Sequence, residues 1–225
     1  MQALIVQTFI AAAADAVWAA LVERPDLLFD ALPASRWPVE TSDQPPFHRS
    51  LTWPHTPEPT PLSFTIHELM GGVRLDLRHE GWHEDDPAWE AAIHGHFSGW
   101  LHGLALLGLW VETGADARVS DPALQGRERY LISGEVPAPA DAVFRSLSDP
   151  DVVVRWSEGA FDGLTMAEQV EDKLVRWSAP GREVAAVLRA TPRGTHVALA
   201  EYGVEDRSAS ARWPQAFDRL SRFLL

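Results

Sequence analysis

The sequence predicts an α+β protein of two tandem modules, each an antiparallel sheet of about five strands packed on a long C-terminal helix. Three observations point there. An internal repeat runs through the 225 residues, period-two apolar alternation recurs in both halves, and an apolar helical stretch closes each half.

The repeat is read block by block. Phe9-Ile10 leads into Ala14-Asp15-Ala16-Val17-Trp18-Ala19-Ala20-Leu21 and then Pro25-Asp26. Val136-Pro137 leads into Ala140-Asp141-Ala142-Val143-Phe144-Arg145-Ser146-Leu147 and then Pro150-Asp151. In both, an alternating stretch reads as a strand and the apolar positions that follow fall at helical spacing. Pro139 suits the first helical position, and Asp141 then falls in the first turn, where the helix dipole favours it. Downstream, Leu51-Thr52-Trp53 matches Val175-Arg176-Trp177, Leu62 to Glu68 matches Val184 to Ala190, and the strand from Gly72 matches the one from Gly194. The closing helices carry Trp100, Leu104, Leu107, Trp110 and Val111 in one half, and Trp213, Phe217, Leu220, Phe223 and Leu224 in the other. Five blocks in one order place module 1 at 1–114, a linker at 115–126 and module 2 at 127–225. Gly114, Asp116, Ser120, Asp121 and Pro122 supply the linker chemistry.

Composition narrows the function classes. Hydrophobic residues make up 46% and charged residues 23%, which is globular rather than disordered. A net charge of −13 argues against nucleic acid and anionic membrane as partners, since phosphate binding needs clustered Lys and Arg. The acidity is concentrated early: residues 1–118 hold 16 Asp and Glu against 6 Lys and Arg, and eight of nine histidines. With no cysteine there is no disulfide, thiol nucleophile or Cys-zinc site. The longest apolar stretch, Phe97 to Val111, is too short for a span, and the N-terminus lacks a basic leader, so a cytoplasmic location is expected.

The residues also carry a family resemblance. The Ala-Val-Trp/Phe…Leu…Pro-Asp helix, the Leu-x-Trp strand, the strand Gly72-Val73-Arg74-Leu75-Asp76-Leu77-Arg78-His79-Glu80-Gly81-Trp82 and the Gly99-Trp100…Leu107 helix resemble AHSA1-like domains (activator of Hsp90 ATPase homologue 1-like). That branch belongs to the SRPBCC, or START-like (Bet v 1-like), superfamily of helix-grip folds, and the likeness spans nearly the whole chain twice. It implies a cavity between sheet and long helix. Family members usually have seven strands. Here the interval from Phe29 to Leu51, like that from Trp156 to Leu174, leaves room for about five. Shortened sheets have open edges, which the two modules or two chains are expected to cover.

Period two places Val73, Leu75, Leu77 and His79 on one face of their strand, toward the long helix, with Arg74, Asp76, Arg78 and Glu80 opposite. The matching face in module 2 reads Thr195, Val197, Leu199, Glu201. His79 and Glu201 are therefore polar groups at the inner end of an apolar face. They either contact a ligand or sit half-solvated at a strand end, bonded to backbone. Trp53 and Trp100 are the tryptophans expected to reach a cavity, and Phe64 and Leu104 complete the ligand-binding set with Trp53, Leu75, Leu77, His79, Trp100 and Glu201. The other reading of the tryptophans is plain core.

His79, His83, His94, His96 and His102 lie near Glu80, Glu84, Asp85 and Asp86; His94 and His96 are two apart and share no helix face, whereas His79 and His83 could converge through a loop. No metal, cofactor or catalytic residue is assigned, and there is no Gly-x-Ser-x-Gly or phosphate loop. Helix 87–111 is apolar nearly all round: Leu101, Ala105, Leu106 and Leu109 lie opposite its core face, and Gly95, Gly99 and Gly103 allow close approach. Such a helix is expected to be covered on both sides, by the other module or a second chain as a homodimer. The expected function is a non-catalytic binder of a small hydrophobic molecule, mainly in module 1. A protein-interaction or co-chaperone-like module and a cyclase or hydrolase using His79 stand as alternatives.

Overall fold

A computed structural model describes residues 2–29, 35, 37–54, 58–82, 87–125, 129–203 and 208–225. The chain divides into two compact units, Met1–Gly114 and Ala115–Leu225. The first runs β1 (Gln2–Ile10), α1 (Ala14–Glu23), α2 (Pro25–Leu28), β2 (Val39–Gln44), β3 (His48–Trp53), β4 (Thr60–Leu69), β5 (Gly72–Trp82) and α3 (Pro87–Thr113). The second repeats the order with β6 (Arg129–Val136), α4 (Ala140–Ser148), α5 (Pro150–Ser157), β7 (Thr165–Val170), β8 (Leu174–Ala179), β9 (Arg182–Thr191), β10 (Gly194–Tyr202) and α6 (Ser208–Phe223). Both sheets are antiparallel and five-stranded, in the orders β1-β5-β4-β3-β2 and β6-β10-β9-β8-β7. The architecture is the expected α+β tandem.

The repeat extends to backbone detail. At the turn into the last strand, a Cβ on Gly72 would lie 2.2 Å from the Ile10 carbonyl oxygen, and one on Gly194 would lie 2.2 Å from that of Val136. Both turns are thus pressed against the end of the first strand, where only glycine fits. Gly194 also has a φ of +141°. The same oxygens accept the amides of Ala12 and Ala138, which turns each chain into its first helix.

Each module grips its closing helix differently. In α6, Trp213, Ala216 and Leu220 are buried while Asp218 and Arg222 are exposed, an ordinary amphipathic helix. Phe223, the last residue of α6, is 43% exposed, whereas Leu224 packs against the core. In α3 every residue from His102 to Leu109 is buried. Part of the cover comes from its own module, since α1 and α2 contact α3 as β1 and β5 do. Of the three glycines, Gly103 alone serves close approach: a Cβ there would sit 3.1 Å from Leu28 backbone, whereas Gly95 and Gly99 have nothing within 4 Å. Among the described residues no helix is long and apolar enough to cross a membrane.

Residues 115–125, within the expected linker, are tied to the outward face of module 2's sheet. The buried Arg176 donates to the Asp116 carbonyl at 2.6 Å and the Arg118 carbonyl at 2.7 Å, and pairs with the buried Glu183. Glu183 in turn accepts the Ser120 amide at 3.0 Å and its hydroxyl at 2.6 Å. Beyond the clamp, Leu124 packs with Ala200 and Tyr202 in a small apolar cluster. This strap covers Ala200 and Tyr202, whereas module 1 carries Arg78 and Glu80 at the matching outward positions.

Candidate functional site

The inward face of β5 presents Val73, Leu75, Leu77 and His79, all buried as the alternation requires. Across the ladder Leu62 pairs with His79 and Phe64 with Leu77, so Thr60 lies one step diagonal to His79 on the same face. Its hydroxyl is 2.7 Å from His79 Nε2. From α3, Trp100 donates its indole N–H to His79 Nδ1 at 3.3 Å. Accepting at Nδ1 assigns the ring proton to Nε2, so His79 donates to Thr60 Oγ1. His79 is thus fully buried and bonded to side chains, not half-solvated at a strand end. Burial, with the nearby His96 ring adding to it, pulls its pKa down to about 3. The imidazole is neutral at physiological pH.

Aromatic rings surround this histidine. Trp53, Trp82, Trp100 and His96 have centroids 4.7–5.8 Å from it, all edge-on. Trp82 adds a bond from its indole N–H to the His79 carbonyl at 2.8 Å. Phe29, which caps the end of α2, lies tilted against Trp53 at 6.0 Å and edge-on to Trp100 at 5.9 Å. Edge-to-face rings at these spacings are favourable pairs. The cluster runs from the fully buried His79 outward to the half-buried His96, with Phe97 exposed beside it on α3.

Module 2 builds the same node from charge. Glu201 pairs with Val184 as His79 pairs with Leu62, and Arg182 takes the place of Thr60. Arg182 Nε donates to Glu201 Oε1 at 2.7 Å, Arg212 Nη2 reaches both oxygens at 2.8 and 2.6 Å, and Trp213 Nε1 donates to Oε2 at 2.6 Å. Trp213 thus does for Glu201 what Trp100 does for His79. Each carboxylate oxygen accepts two donors, which supports a buried charge. Phe161 closes the node against Trp156, Trp177 and Trp213.

Of the residues singled out in the sequence, Trp53, Phe64, Leu75, Leu77, His79, Trp100 and Leu104 are buried within module 1, and Glu201 lies in module 2. Sequence reasoning missed Thr60, Arg182, Arg212 and Phe29. The first two had a signal, because they stand one same-face step from His79 and Glu201 across a predictable ladder. His83, Glu84, Asp85 and Asp86 lie outside the described residues, as does the side chain of His94. Among the described residues no three His, Asp or Glu side chains are grouped as metal ligands.

No family model and no curated protein matches the sequence. Solved structures similar to it include the DynU16 protein of the dynemicin biosynthetic locus, at a TM-score of 0.45 and 14% identity over 100% of this chain and 96% of that one. SSP2350 from Staphylococcus saprophyticus is similar at a TM-score of 0.43 and 15% identity, over 52% of this chain and 96% of its own. The dimeric Aha1 of Colwellia psychrerythraea is similar at 0.40 and 15%, over 51% of this chain and 98% of its own.

Proposed function

We propose that module 1 is a non-catalytic binding module for a small hydrophobic molecule bearing an aromatic or planar ring, and that module 2 is its structural counterpart. One observation carries the reading: at the same node of the same fold, module 2 is closed by charges that satisfy one another, and module 1 is left neutral and aromatic. Arg182, Arg212 and Trp213 occupy the acceptor positions of Glu201. In module 1 the corresponding groups are an uncharged imidazole, a hydroxyl and edge-on rings, which take up an apolar ring without stranding a charge. The half-buried His96, whose ring lies against Trp53 and Trp82, marks the side from which a ligand would reach them.

The geometry disfavours acid–base catalysis by His79. With its proton affinity this low and both ring nitrogens engaged, it is a poor base near neutral pH. The test is native mass spectrometry of protein purified from its own host, followed by denaturation. A small apolar molecule carried at one per chain and released on unfolding is expected. Bare protein that also fails to retain any of a panel of added aromatic hydrocarbons would overturn the proposal.

A further inference from the structure

We propose that the outward face of module 1's sheet holds a second site, for a neutral polyhydroxylated molecule of saccharide type. A groove of about 540 Å³ opens there across β2, β3, β4 and β5, with its polar side chains on the side of the sheet away from the aromatic cluster. That volume is typical of small-molecule sites, roughly 300–1,000 Å³. The ladder sets its floor. Ser50 pairs with Ser63 and Ser63 with Arg78, so three polar side chains stand abreast on adjacent strands. Thr52 and Thr41 extend the row of hydroxyls, and Pro59 and Pro61 bound it with C–H surface.

The chemistry of the lining selects the ligand. His48 is braced at both nitrogens, with Ser50 Oγ 2.9 Å from Nε2 and Thr65 Oγ1 3.1 Å from Nδ1, so it holds the Ser50 hydroxyl in place. Arg78 pairs with Glu80 at 2.7 Å, and both line the groove. That pair offers donors and acceptors side by side with no net charge, and each Ser or Thr hydroxyl does both. A polyol presents the same mixture. An anion would meet Glu80, a cation would meet Arg78, and an apolar molecule would strip water from hydroxyls it could not bond. The groove shares one lining residue with the aromatic cluster, Thr60, whose hydroxyl is bonded to His79, while its Ser50, Ser63, Arg78 and Glu80 side chains stand on the opposite face of the sheet.

Amide chemical shifts of the full chain, titrated with maltose, N-acetylglucosamine and inorganic phosphate, decide the matter. Saturable shifts at Ser50, Thr52 and Ser63 are expected with a saccharide at millimolar concentration and not with phosphate. Arg78→Ala should weaken the binding by at least about fivefold, and Ser63→Trp, which fills the groove from its floor, should abolish it. Neither saccharide moving these amides, phosphate moving them instead, or both variants titrating like the parent would each overturn the assignment.

Discussion

Replacing Arg176 by Met lowers stability by about 3–5 kcal/mol, because it leaves Glu183 charged and buried without its cation. The loss also removes the bonds to the Asp116 and Arg118 carbonyls and frees the strap. Urea denaturation should show the drop, and limited proteolysis should show new cleavage between residues 115 and 125. The double replacement Arg176→Met/Glu183→Leu should recover most of the loss, since a buried ion pair exchanged for apolar side chains is often neutral. A single variant as stable as the parent would show that the clamp does not hold.

Acid should destabilise module 1 through His79. The native ring resists protonation until about pH 3, whereas an unfolded histidine takes up its proton near 6.5. In that window the unfolded state binds more protons. Stability from this group is therefore complete above pH 6.5 and falls as pH is lowered, by roughly 3 kcal/mol at pH 4.5. His196, which burial also pushes down, adds loss of the same sign. His79→Leu should start lower at pH 7, having lost the bonds to Thr60 and Trp100, yet fall less steeply with acid. Urea midpoints at half-unit pH steps from 7 to 4.5 measure both slopes, and equal slopes would refute the account.

The strands and helices were legible because their patterns are local. Val73, Leu75, Leu77 and His79 face inward as period two demands, and Asp141 falls in the first turn of its helix as expected, although Pro139 stands at the N-cap and the helix begins one residue later, at Ala140. The candidate site was legible in part. His79 and Glu201 stood out as polar groups on apolar faces, but their satisfaction depends on Thr60, Arg182 and Arg212, which come from other elements. The strap was hardest to foresee. Residues 115–125 have turn composition, and nothing local announces that Ser120 bonds to Glu183, 63 positions away. A trace did exist in β10, where Ala198 and Ala200 break the alternation that Asp76 and Arg78 keep in module 1. A strand apolar on both faces is one covered on both.

The proposed division of labour within one fold used twice places a ligand site in module 1 and a closed ionic node in module 2. Titration of the full chain with the uncharged fluorophore 1-N-phenylnaphthylamine tests it most directly, beside Trp53→Leu and Trp177→Leu variants shown by their melting curves to be folded. One probe per chain is expected, with affinity lowered at least about tenfold by Trp53→Leu and unchanged by Trp177→Leu. Two probes per chain, or binding lost in Trp177→Leu and kept in Trp53→Leu, would contradict it.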